Sequence, residues 1–138
     1  MEKNIRNAIV SKLTALNIFE AVYNSEVSSY GDGYPVVVVS PSENDNDYGA
    51  SDADKVTLTF KVRIIYIIRK GINQSDVDDK MYDLSETTFN AFNARGTLGN
   101  VCDWVQPVPS VWGTEDRGES VYRTREFLIR CKKYISHS

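Results

Sequence analysis

A lone histidine, two cysteines, a run of carboxylates and a cluster of basic residues are the side chains of this chain that could do chemistry. His137 is the only imidazole and is followed by a single residue, a position where fraying is the rule. Without a second histidine, neither a Ser-His-Asp triad nor a Cys-His pair can be assembled. The GxSxG, Walker A and GxGxxG patterns are absent as well, so the expectation is a protein that is not an enzyme and holds no cofactor. Cys102 and Cys131 stand far apart, outside any CxxC pattern and with no histidine nearby. That spacing argues against a zinc site and for two reduced, buried thiols.

The carboxylates concentrate in residues 42–55, SENDNDYGASDADK, which hold Glu43, Asp45, Asp47, Asp52 and Asp54 and no aliphatic residue larger than alanine. If Glu43 is taken as the first position of a calcium loop, Asp45, Asp47, Gly49, Ser51 and Asp54 fall on ligand positions. The sixth position, which needs glycine, is Tyr48, and the flanking patterns are strands, so an EF-hand is excluded. A looser cation site, a solvated acidic loop and a segment that orders against a partner remain as three readings.

The basic cluster is Arg123, Arg125, Arg130, Lys132 and Lys133 in the last strand-like segment. Cross-strand pairing with acidic neighbours is one account of it. The other places Arg123 and Arg125 beyond the cover of a helix, facing an acidic surface on another subunit, with Trp104, Trp112, Tyr122 and Tyr134 as further interface candidates. Net charge is −3 and pI about 5.2, which argues against a protein whose main task is to grip nucleic acid through phosphates.

These residues need elements to position them. The chain has 138 residues, 41% hydrophobic and 25% charged, the profile of one globular domain spanning 1–138. No apolar run approaches the ~18 residues of a membrane-spanning helix, and the first residues lack the pattern of a secretory signal, so synthesis in a cytoplasm is expected. Ile5, Ile9, Leu13 and Leu16 define an amphipathic helix over 3–16, closed by Asn17. A short strand over 21–25 and the turn residues Gly31, Asp32 and Gly33 come next. The run PVVVVS over 35–40 reads as a strand buried on both faces and ended by Pro41.

Residues 56–68, VTLTFKVRIIYII, alternate as a β-strand does, with Val56, Leu58, Phe60, Val62, Ile64, Tyr66 and Ile68 on one face. The other face is polar at Thr57, Thr59, Lys61 and Arg63 and apolar at Ile65 and Ile67. Its apolar end is expected beneath a helix, and its polar end beyond that cover. At roughly 3.3 Å per residue the strand is about 43 Å long, against a diameter of about 37 Å for a domain of this size.

A second helix follows, with Asn73 or Ser75 as N-cap, Asp76, Asp78 and Asp79 in its first turn, and a stripe of Val77, Met81, Leu84, Thr88 and Phe92 widened by Tyr82, Phe89 and Ala91. Gly96 is its expected stop. Val101–Val105 reads as a strand whose continuation through Pro107 and Pro109 is an edge or a turn, and TEDRGES connects it to a long alternating strand over 121–135. The expected fold is α+β: two layers, with a mixed or antiparallel sheet of long strands covered on one face by two helices.

The helix IRNAIVSKLTAL, the entry GYPVVVV, the acidic loop, the strand VTLTFKVRIIYII, the helix SDVDDKMYDLSETTFNAF and the closing strand SVYRTREFLIRCKKY, in that order, resemble the tail terminator proteins of long-tailed bacteriophages and the related tail-completion and tail-to-head joining proteins. The likeness covers nearly the whole chain and lies in element order rather than in a single motif. It implies a structural virion protein assembled in the bacterial cytoplasm. It also implies a homo-oligomeric ring, commonly a hexamer, that ends the tail tube and presents the surface for head joining. Implied partners are other copies of the chain, the major tail tube protein and head-completion or neck proteins, with DNA passing through the lumen without specific binding and no membrane. Glu43, Asp45, Asp47, Asp52 and Asp54, with Lys61, Arg63, Arg123 and Arg125, are then the candidate subunit or tube interface. Competing readings are a cytoplasmic protein-binding adaptor whose sheet edge accepts a peptide, and another phage neck or head-completion protein.

Overall fold

Ile5, Ile9 and Leu13 recur every fourth residue and are fully buried, which sets the inner face of helix α1 (Glu2–Leu16). Asn17 ends it in the left-handed region (φ 56°), its N–H donating to the Thr14 carbonyl at 3.1 Å. The computed structural model describes residues 2–42, 47–48, 55–69, 73–93 and 102–134. After α1 come β1 (Ala21–Tyr23), β2 (Val36–Pro41), β3 (Asp47–Tyr48), β4 (Lys55–Ile68), α2 (Gln74–Asn93), β5 (Trp104–Arg117) and β6 (Ser120–Tyr134). Among the described residues, no helix is long and apolar enough to cross a membrane.

The strands form one mixed sheet in the order β1-β2-β4-β6-β5, with β3 paired to the outer end of β4. β1 and β2 run parallel and the other pairs antiparallel. The β4–β6 ladder runs without a break from Lys55↔Tyr134 to Ile68↔Val121. Both helices pack on the face that carries Val37, Val39, Leu58, Phe60, Val62, Ile64, Phe127, Ile129 and Cys131, giving the two-layer α+β arrangement expected from the pattern.

Helix α2 starts where expected. The Asn73 side-chain carbonyl accepts from the Ser75 N–H and the Ser75 hydroxyl, both at 3.1 Å, so Asn73 is the cap and Ser75 its partner. Its buried stripe is Val77, Met81, Ser85, Thr88 and Phe92. Leu84 sits at the margin, and Tyr82, expected to widen the stripe, is instead 59% exposed. The helix ends at Asn93, and Gly96 lies outside the described residues.

Three other expectations change. Pro41 is the last residue of β2 rather than a stop beyond it. The segment 42–55, expected to lack regular structure, contributes β3, with Asp47 opposite Thr57. Pro107 and Pro109 continue β5 as an edge strand, one of the two readings open in the sequence, because only one side of an edge strand needs donors. The residues TEDR, expected to be connection, complete β5, and the hairpin turns at Gly118–Glu119, where Gly118 takes φ 65° at no steric cost.

The largest correction concerns Ile65 and Ile67. They face away from both helices, and their cover is the segment between β1 and β2, which lays Val27, Tyr30 and Tyr34 against Val36, Val38, Ile65 and Tyr122. Both helical stripes match the even-numbered face of β4, so neither helix was left for the second face. The tyrosines flanking Gly31 and Gly33 supply an apolar surface there.

Candidate functional site

Two constellations stand out, one on each face of the sheet. Under the β1–β2 segment, Tyr30 is 2% exposed, and its hydroxyl donates to Glu115 Oε2 at 2.7 Å and accepts from Arg63 Nη2 at 3.0 Å. Arg63 Nη2 also meets Glu26 Oε2 at 3.0 Å. Arg117 donates to Glu115 Oε1 at 2.8 Å and to the Val27 carbonyl at 2.8 Å, while its guanidinium lies 4.1 Å from the centre of the Tyr30 ring. The Tyr30 ring meets Tyr122 edge-on at 5.0 Å, and the Tyr34 and Tyr122 hydroxyls are 3.2 Å apart. Tyr23 donates to the Tyr30 carbonyl and Tyr34 to the Gly31 carbonyl, at 3.0 and 2.9 Å, which fixes the turn from both sides.

Burial, with the hydrogen bond to Glu115, pushes the Tyr30 phenol up to about 12, so it stays protonated and donates. Burial also opposes the charges of Glu115 and Arg63. Hydrogen bonds from Arg117 and Tyr30 outweigh it for Glu115 and hold that carboxyl below its ordinary value. Tyr30, Glu26 and Glu115 together outweigh it for Arg63, whose pKa is raised.

A pH dependence follows. A carboxyl with a depressed pKa in the folded state stabilises the fold above its ordinary value of about 4.3, and that contribution is lost as the pH falls through the folded pKa. Unfolding curves taken from about pH 6 to about pH 3 will therefore converge for the native protein and Glu115→Gln, the native protein losing its advantage on acidification. Parallel curves at all pH values would remove Glu115 from this role.

On the helix face, Trp112 of β5 is the centre. Tyr82 of α2 meets its ring at 5.2 Å, Arg123 lies over it at 5.1 Å and Arg125 at 4.8 Å. Arg123 donates to Asp78 Oδ1 at 3.0 Å and to the Gly113 carbonyl at 3.2 Å. Arg125 stacks on Phe127 as well, at 5.2 Å, and its buried Nε has no hydrogen-bond partner. Burial lowers its pKa. A cavity of about 210 Å³ opens beside it, lined by Ser85, Glu86, Phe89, Pro109, Arg125 and Phe127. The β5–β6 register breaks between Pro109 and Trp112, and this bulge presents Val111 at 56% exposure.

The residues singled out from the sequence thus separate. Arg63 is held inside the tyrosine network and Lys61 lies 4.0 Å from Glu126, so both carry intramolecular partners on the face away from the helices. Arg123 and Arg125 were expected beyond the helix cover. They lie instead against the flank of α2, because the Trp112 ring and Asp78 give them a platform and a counter-ion there. Asp47 is placed by its backbone in β3, and Glu43, Asp45, Asp52 and Asp54 lie outside the described residues. Tyr122, an expected interface residue, is buried within the tyrosine network. Trp104 is 38% exposed, with Lys132 Nζ at 4.3 Å from its ring.

Cys102 and Cys131 are buried and unbridged, as expected, yet they are neighbours, joined by a hydrogen bond between their side chains. That bond and burial push the Cys131 thiol up.

Sequence reasoning missed Tyr23, Tyr30, Tyr34, Glu26, Glu115, Arg117 and Ser85. A signal for the first three was present in the crowding of tyrosines around a glycine turn, since three aromatic rings in so short a segment need a surface to cover. For Glu115 and Arg117 the signal was their i, i+2 spacing, which puts both on one face of a strand. Compared with known protein families and with curated proteins, the chain matches none.

Proposed function

We propose that the chain is a structural protein of a bacteriophage tail, a tail terminator or a closely related tail-completion protein, which acts by forming a homo-oligomeric ring. The ring, a hexamer on this reading, ends the tail tube and offers its other side to the head-completion proteins. The observation that carries the reading is the unbroken β4–β6 ladder from Lys55↔Tyr134 to Ile68↔Val121. At about 3.3 Å per residue it is about 46 Å long, longer than the about 37 Å expected for a compact domain of this size, which supports a sheet that extends past the rest of the domain and offers surface to a neighbour.

The outer half of the second face suits such contact. Lys61, Arg130 and Lys132 lie there on adjoining strands beside Trp104, and of these the arginine and the exposed tryptophan are residue types enriched at subunit interfaces. Ring closure needs heterologous contacts, in which one surface of a copy meets a different surface of the next. An acidic segment over 43–54, placed toward the lumen or the tube, would let DNA pass without adhering.

The adaptor reading draws less support. Its sheet edge would be β5, and Pro107, Pro109 and the bulge are devices that blunt an edge against strand addition.

Deleting residues 43–54 in a phage carrying this gene is expected to yield tails of abnormal length or tails that fail to join heads. Normal, head-joined tails from that deletion would sink the placement of the segment.

A further inference from the structure

Ion pairs between described side chains join Lys61 to Glu126, Arg63 to Glu26, Arg117 to Glu115 and Arg123 to Asp78. Arg125 has no such partner, although its guanidinium is held in place by the rings of Trp112 and Phe127. Its Nε is buried without a hydrogen bond, and so is the hydroxyl of Ser85, a residue only 8% exposed that lines the same cavity. Two donors, one charged, therefore belong to residues in the wall of one hollow and have no hydrogen-bond partner among the described residues. Buried polar groups of this kind cost free energy unless a partner arrives. A carboxylate is the group that accepts from a guanidinium and a hydroxyl together.

The chain also carries unmatched carboxylates. Asp76, Asp79, Asp83 and Glu86 are exposed, and their spacing of three, four and three residues sets them along the solvent face of α2. None forms an ion pair within the described residues. Glu86 lies at the rim of the Arg125 cavity, while Asp79 and Asp83 belong to the face turned to solvent.

We infer that the hollow between α2 and β5 is the receptor half of a head-to-tail contact, in which Arg125 and Ser85 of one copy take a carboxylate from the α2 face of a second copy, at Asp79 or Asp83. Tyr82 on α2 and Val111 on β5 supply exposed apolar surface on the two elements that flank the hollow, the setting in which a charge pair shielded from water adds most to binding. The inference rests on the ring reading and names the surfaces that such a ring would use. Each contact takes one receptor and one donor, so every copy uses both.

The test uses the full chain and three measurements. Light scattering on Arg125→Met is expected to require about tenfold higher concentration for assembly than the native protein, and Asp79→Lys with Asp83→Lys to do the same. The Arg125→Met melting temperature should be unchanged or higher, since a partly buried unpaired charge is removed. An equimolar mixture of the two variants retains one intact contact per pair and should stop at a dimer, twice 15.6 kDa.

Assembly of Arg125→Met at native concentrations overturns the inference and leaves the ring standing. Loss of assembly in Arg125→Met with normal assembly of the α2 variant overturns the donor assignment. A lower melting temperature for Arg125→Met marks a structural role instead. A native protein that stays monomeric at every concentration overturns both the contact and the ring.

Discussion

Tyr30→Ala will lower the stability of the fold by about 3–5 kcal/mol, read as a drop in the denaturant midpoint at unchanged slope. The magnitude comes from three losses at one position. The ring is almost wholly buried between Tyr122 and the Arg117 guanidinium, so its removal leaves a cavity that the sheet, fixed by ladder hydrogen bonds, cannot collapse to fill. Its hydroxyl is the link between Glu115 and Arg63, and both charges lose a partner inside the cover. The segment between β1 and β2 is also tied to the sheet through this side chain, so Val27 and Tyr34 lose their seat on Ile65 and Val36.

Tyr30→Phe separates these terms. It keeps the ring and removes the hydroxyl, and should cost about 1–3 kcal/mol. Equal losses for Tyr30→Phe and Tyr30→Ala would mean that the hydrogen bonds, not the packing, hold the segment down.

Phe127→Ala is the second large effect, again about 3–5 kcal/mol, on the opposite face. Phe127 is 2% exposed, stands opposite Val62 and Pro109 in its neighbouring strands, and meets Phe89 of α2 at 6.1 Å between ring centres. It therefore joins the second helix to the middle of the sheet. Its ring is also one of the two platforms under Arg125. Removing it enlarges the hollow beside Arg125 and frees that guanidinium, so assembly should weaken together with folding. Phe127→Leu keeps most of the volume and should cost less than about 2 kcal/mol. If Phe127→Ala unfolds at the native midpoint, the contact between α2 and the sheet does not depend on this residue.

Both helices and the long strands β4 and β6 were legible in the chain because each carries a single strong period, whereas β3 and the second half of β5 carry none. Ile5, Ile9 and Leu13 could only mean a helix face, and the alternation from Val56 to Ile68 only a strand. What covered the second face was not legible. Ile65 and Ile67 announced a cover, but periodicity describes an element and not its partner, and a glycine turn bearing tyrosines looks like a loop until the sheet beneath it is in place. The same limit applied to charges. Arg63, Arg123 and Arg125 are indistinguishable as letters in alternating strands, yet the fold gives the first two counter-ions and leaves the third without one. Trp112 decides where Arg123 and Arg125 lie, and its position depends on a bulge between Pro109 and Trp112 that no local pattern encodes.

The central claim is assembly into a closed ring, and the mass of the purified native protein by light scattering, taken alongside negative-stain images, tests it most directly. The account predicts annular particles whose mass is a whole multiple of 15.6 kDa, six on the hexamer reading. A single species of 15.6 kDa at every concentration, with no rings in the images, would contradict it.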